Sequence, residues 1–172
     1  MKWMTIVFAF SLTTAWANVH PKVQAALEGL FPPDAVVKAE HLILTSDQKR
    51  LVQNEARASV VTKVYRYYRI VRNRKTLGYG LLLTRRVRTK KATVLYLFDT
   101  SKRLLSTEIM AFGEPPEFKP QAAWMKQFSR RDAQAPLQLG NDIPTITGAT
   151  LSARTVSDGA RIARALLALI KH

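Results

Sequence analysis

Between residues 58 and 112 the sequence reads as four β-prone runs separated by short turn-forming stretches, and this pattern constrains the fold more than any other feature. "ASVVTKVYRYYRIV" is dense in β-branched and aromatic residues, Val61, Val64, Tyr65 and Tyr67 among them. "RNRK" supplies a turn. "TLGYGLLLTRRVR" resumes the β character, with Gly78 and Gly80 around Tyr79 marking a bulge or a close backbone approach. "ATVLYLFD" reads as a buried strand, "DTSKR" turns the chain, and "LLSTEIMAF" returns antiparallel beside it.

Helical periodicity flanks this block. In "HPKVQAALEGLF", Val23, Ala26, Leu27 and Leu30 fall at helical spacing until Pro32-Pro33 stops the run. "TSDQKRLVQNEA" reads as a second short helix, with Ser46 as N-cap and Asp47 complementing the dipole. After the irregular "GEPPEFKP", the stretch "QAAWMKQF" offers a short helix carrying Ala123, Trp124 and Phe128. The chain ends in "SARTVSDGARIARALLALIKH". There Val156, Ala160, Ala163, Leu166, Leu167 and Ile170 form an apolar stripe, with Arg161, Arg164 and Lys171 on or near the other face. The expected class is α+β, an antiparallel sheet flanked by helices and closed by a C-terminal amphipathic helix.

The first residues stand apart. "MKWMTIVFAFSLTTAWA" has Lys2, an apolar run and the small-x-small triplet Ala15-Trp16-Ala17, the pattern of a secretory signal. The run from Trp3 to Ala17 is shorter than the ~20 residues of a membrane helix. The division read from this is a signal over residues 1–17 and one domain over 18–172, in the periplasm or otherwise outside the cytoplasm. The alternative is an uncleaved N-terminal anchor.

The chain has no cysteine, which excludes disulfides, thiolate-held iron–sulfur clusters and Cys-x-x-Cys-His haem attachment. Its net charge of +15 favours anionic partners, and export argues against nucleic acid as one of them. The plainer alternative is a solvated basic surface. His20, His41 and His172 lie too far apart in sequence for a metal site and read as surface or boundary residues. Neither a Gly-x-Ser-x-Gly elbow nor a Walker loop nor a Gly-x-Gly-x-x-Gly fingerprint occurs.

What remains is "DIPTITGATLSA", Asp142 to Ala153, just ahead of the terminal helix. A helix N-terminus exposes unpaired N–H groups and a positive dipole end, and so attracts phosphate. Gly148 permits a sharp turn, Ala149 keeps it uncrowded, and Thr147 and Thr150 supply hydroxyls. The local alternative is that Thr150 or Ser152 merely caps the helix.

Thr147-Gly148-Ala149-Thr150-Leu151-Ser152 resembles the attachment motif Asp-x-x-(Ser/Thr)-Gly-Ala-(Thr/Ser) of the exported FMN-binding domain family. That domain also occurs in subunits of the sodium-translocating quinone reductase and of the related ferredoxin-linked electron-transport complex. "EIMAFGEPPEFKPQAAWMKQF" is similar to the family's Glu-Pro-Pro-Glu-aromatic loop followed by Trp and Gln-Phe, carried here by Glu114, Pro115, Pro116, Glu117, Phe118, Trp124, Gln127 and Phe128. The resemblance implies FMN esterified to Thr150 by a magnesium-using flavin transferase that draws on FAD. It also implies membrane or periplasmic redox partners, and electron transfer rather than stand-alone reductase activity. Glu114, Tyr79, Phe112, Phe118 and Trp124 become candidates to touch the ring, each with a structural role as the alternative. One position departs from the motif: the family's Asp falls at Pro144, and the nearest acid, Asp142, lies two residues earlier. The competing expectations are a subunit of a membrane complex that keeps its N-terminal anchor, a flavin reductase, and a basic binding module without redox chemistry.

Overall fold

The computed structural model describes residues 19–170, so the signal assigned to residues 1–17 and His172 lie outside the described residues. The elements run α1 (Pro21–Leu27), β1 (Val36–Ile43), α2 (Ser46–Ala56), β2 (Val64–Arg72), β3 (Lys75–Arg86), β4 (Lys91–Asp99), β5 (Leu104–Phe112), α3 (Ala122–Met125) and α4 (Thr150–Leu167). All five strands pair antiparallel in the order β1-β2-β3-β4-β5. The fold is therefore α+β, as the sequence pattern implies.

The four expected strands are present, and the turns fall where their residues demand. Asn73 and Arg74 both adopt positive φ, which matches the right-handed twist of the hairpin they close. Gly78 sits where a Cβ would strike the Phe31 ring at 2.7 Å and the Phe98 carbonyl, so this position needs glycine for close approach. A register shift follows Ile70, opposite the same stretch of β3. β1 is an additional strand, over a stretch where the sequence pattern marks no element. It is an edge strand with Lys38, Glu40 and His41 interrupting its apolar residues.

Two apolar layers sandwich the sheet. On one face α4 and α2 pack over Tyr65, Tyr79, Leu81, Val94, Tyr96 and Phe98. On the other, α1 covers part of the face over Val37, Tyr68, Ile70, Leu95 and Leu97. The α4 stripe named from sequence is buried throughout. Arg161 and Arg164 do not point free into solvent as the amphipathic pattern implies. Arg161 donates to the carbonyls of Ala56 (2.8 Å) and Leu137 (3.1 Å), and Arg164 to those of Ala133 (2.8 Å) and Ala135 (2.6 Å). Both are half-buried staples that hold the loop before α4 against the helix. The cap of α2 is Thr45 rather than Ser46: its hydroxyl accepts from the Gln48 N–H while the Gln48 side chain accepts from the Thr45 N–H.

Candidate functional site

α4 begins without a side-chain cap. Its N-cap is Ala149, at φ −130° and ψ 30°, and no side chain accepts from the first turn. The alternative in which Thr150 or Ser152 caps the helix is not the arrangement found. Instead the Thr150 hydroxyl donates back to the Ile146 carbonyl at 3.2 Å, and the Ala149 N–H reaches the same oxygen at 3.1 Å. Gly148 turns the chain into this geometry at φ +80°, with nothing within 4 Å of where a Cβ would sit. The outcome is an exposed threonine on a helix start whose leading N–H groups have no acceptor in their own helix.

This turn opens on a cavity of about 260 Å³ lined by three separate parts of the chain. Residues 148–152 form one wall. Glu114 and Phe118, from the loop after β5, form the second. Val87 and Arg88, from the turn between β3 and β4, form the third. Leu151 is 47% exposed on the rim, a large apolar side chain left without cover.

Glu114 explains how the second and third walls stay together. It is only 7% exposed. One carboxylate oxygen accepts from the backbone N–H groups of Arg88 (3.0 Å), Thr89 (2.6 Å) and Lys90 (2.6 Å), and the other from the Thr89 hydroxyl at 3.2 Å. The Lys90 N–H, with those of Arg88 and Thr89, outweighs burial and holds this carboxyl below the ordinary glutamate range. Glu114 thus locks the β3–β4 turn to the Glu-Pro-Pro loop and fixes where Arg88 enters the cavity. The Arg88 guanidinium makes no hydrogen bond or ion pair among the described residues, and it is the one cation lining the cavity.

The other candidates are placed elsewhere. Thr147 is exposed but does not line the cavity. Tyr79 is fully buried under α4, with the Arg69 guanidinium 5.4 Å from its ring centre, and is a core residue. Phe112 ends β5 outside the cavity lining. Trp124 stacks edge-on against Phe128 at 5.3 Å, and its indole N–H donates to the Pro144 carbonyl at 2.9 Å. It steadies the loop that leads into Thr150 rather than lining the cavity. Asp142, the acid nearest the attachment motif, is likewise engaged. Burial acts to raise its pKa, but the Gln138 N–H, the Arg131 guanidinium and the Leu137 N–H together hold it low. Its carboxylate closes the 137–143 loop on itself and does not line the cavity.

Sequence reasoning missed Val87 and Arg88. They lie 60 residues from the motif and reach it only through the hairpin register and the Glu114 lock. No local signal in the Arg-Val-Arg-Thr-Lys-Lys run at residues 86–91 points to the motif, because the buried Glu114 beside this turn shows only in the fold.

No protein-family model matches the chain, and neither the curated proteins nor the solved structures contain a match to it.

Proposed function

We propose that this protein is an exported flavoprotein that carries FMN on Thr150 and takes part in electron transfer outside the cytoplasm. One observation carries the reading: Thr150 is an exposed residue on an uncapped first helical turn, at the edge of a cavity with an apolar floor and one unpaired cation.

The residues fit the group. A phosphodiester at Thr150 has one negative charge. The α4 N-terminus, with about half a positive charge, and Arg88 offer it compensation. Val87, Phe118 and Leu151 offer an apolar bed. The cavity is slightly smaller than the ~300 Å³ of sites that enclose a small ligand, which suits a ring left partly open to a redox partner. Attachment forms the bond from Thr150 Oγ1 to phosphorus and breaks the pyrophosphate of FAD; AMP leaves and the hydroxyl proton passes to solvent. The bound group supplies reversible hydride and one-electron chemistry, while this chain supplies tether, orientation and charge. A covalent tether suits a compartment without a free flavin pool, where reversible binding loses the cofactor.

The test is peptide mapping of protein produced with its transferase. The proposal expects yellow protein and an FMN adduct on the peptide that holds Thr150. Colourless protein with that peptide unmodified leaves the alternative of a basic binding module.

A further inference from the structure

At one end of the sheet β1 finishes, β2 begins and the β3–β4 turn closes. The side chains gathered there share two properties. Ile43, Val61 and Val64 stand 70%, 72% and 54% exposed, and Ile43 pairs with Val64 across the ladder. Beside them Arg66, Arg86 and Lys91 are exposed cations which, with Val64, Leu82 and Thr84, wall a shallow groove of about 590 Å³. No Asp or Glu lines it.

The groove continues the sheet face that α1 covers only in part. Under α1 lie Tyr68, Ile70, Leu95 and Leu97; Arg66, Leu82 and Thr84 extend the same face beyond it. Arg66, Arg86 and Lys91 take part in no ion pair among the described residues. Nearby carboxylates are engaged: Asp47 pairs with Arg50 at 2.6 Å, and Glu114 is turned inward on the Arg88–Lys90 backbone.

The geometry points to this end of the sheet as a seat for an anionic phospholipid bilayer. Protruding aliphatic tips beside unpaired Lys and Arg are the chemistry of the lipid interface, where the tips enter the acyl boundary and the cations meet phosphate headgroups. A protein interface built round Arg66 and Arg86 is expected to set exposed Trp or Tyr beside them, with Val under-represented. Here the aromatic residue in the groove, Tyr65, is buried, and the exposed apolar atoms belong to Ile and Val. Single-stranded nucleic acid needs exposed aromatic faces to stack on, and the groove offers none. This inference goes beyond the flavin reading and stands without it. It bears on that reading in one way: Arg86 and Lys91 flank the turn that brings Val87 and Arg88 to the cavity, so the seat brings the cavity rim close to the bilayer.

The chain has no cysteine, so a single introduced thiol places a polarity-sensitive fluorophore at one known site. The full chain carrying Val61→Cys, and separately Ser101→Cys in the β4–β5 turn at the opposite end, is labelled and mixed with vesicles of phosphatidylglycerol or of phosphatidylcholine. The expected result is a blue shift at position 61 with phosphatidylglycerol alone, reversed by high salt, and no shift at position 101. Arg66→Glu, Arg86→Glu and Lys91→Glu combined weaken the response at position 61 by about 100-fold or more, while Arg74→Glu, Lys75→Glu and Lys126→Glu combined leave it largely intact. Equal shifts at both positions, equal loss in both triple variants, or no shift at position 61 overturns the proposal. A shift at position 61 with polyglutamate but not with vesicles also overturns it, and assigns the patch to an acidic protein.

Discussion

The indole N–H of Trp124 donates to the carbonyl of Pro144 at 2.9 Å, so the residue that stands at the motif's acidic position is held through its backbone by a side chain twenty residues upstream. Trp124→Phe keeps the edge-on contact with Phe128 but removes this bond. The expected cost is about 0.5–1.5 kcal/mol of stability, seen as a lower denaturant midpoint, together with slower flavin incorporation. Because the acceptor is a main-chain oxygen, Pro144→Asp preserves it while restoring the acid of the motif. Under limiting transferase, Pro144→Asp is expected to raise occupancy; unchanged occupancy removes any role for that position in recognition.

Glu114 makes the β3–β4 turn sensitive to pH. Its native pKa lies below the ordinary glutamate range because the Lys90, Thr89 and Arg88 N–H groups favour the ionised form. On unfolding the carboxyl binds protons more readily, so its contribution is complete above the ordinary range and is lost as pH falls through the lowered native value. Protection of the Arg88, Thr89 and Lys90 amides, measured against their intrinsic exchange rates at each pH, is therefore expected to persist until pH drops below that range. In Glu114→Gln the same amides exchange faster at neutral pH and lose this dependence.

Helix α4 lies so close to the sheet that a Cβ at Gly159 overlaps the buried Tyr96 hydroxyl, which itself donates to the Val156 carbonyl at 2.9 Å. Gly159→Ala is expected to destabilise by about 1–3 kcal/mol despite the helix propensity of alanine. Tyr96→Phe alone costs about 1 kcal/mol for the lost bond. The double variant is expected to be more stable than the sum of the two, because removing the hydroxyl removes the closest of the contacts and leaves the ring carbon Cζ at 2.8 Å to be relieved by a small shift. Simple additivity contradicts the contact.

Much of this fold was legible in the chain because its strands carry strong local chemistry. β2 to β5 are written in β-branched and aromatic residues between turn formers, and α4 carries an unbroken apolar stripe. β1 was not legible because Lys38, Glu40 and His41 break up its apolar residues, which an edge position with a neighbour on one side alone tolerates. The cap of α2 was displaced by one residue because the reciprocal Thr45–Gln48 pairing outcompetes Ser46. At the site, residues 148–152 and Glu114 announced themselves as a motif, whereas Val87 and Arg88 arrive through strand register, which no local pattern encodes. Tyr79 reads from the sequence as either a core residue or a ring contact, because aromatic residues serve cores and cofactors alike; its burial beneath α4 decides for the core.

Arg88 offers the sharpest electrostatic prediction. Arg88 lines the same cavity as the first residues of α4, and its backbone is held by Glu114. If FMN is carried there, Arg88→Glu is expected to lower the flavin midpoint potential, because a carboxylate in place of a cation disfavours the more negative reduced form. Arg88→Lys is expected to leave the potential near that of wild type. A potential indifferent to both substitutions places the ring away from Arg88. The measurement is a spectroscopic redox titration of flavinylated protein.

Intact mass, read with the visible spectrum on protein co-produced with its transferase, tests the central claim most directly. The account predicts a gain of one FMN less one water on the wild-type chain, retained in Thr150→Ser and abolished in Thr150→Ala. A full gain in Thr150→Ala, or no gain in a wild-type chain made alongside an active transferase, contradicts it.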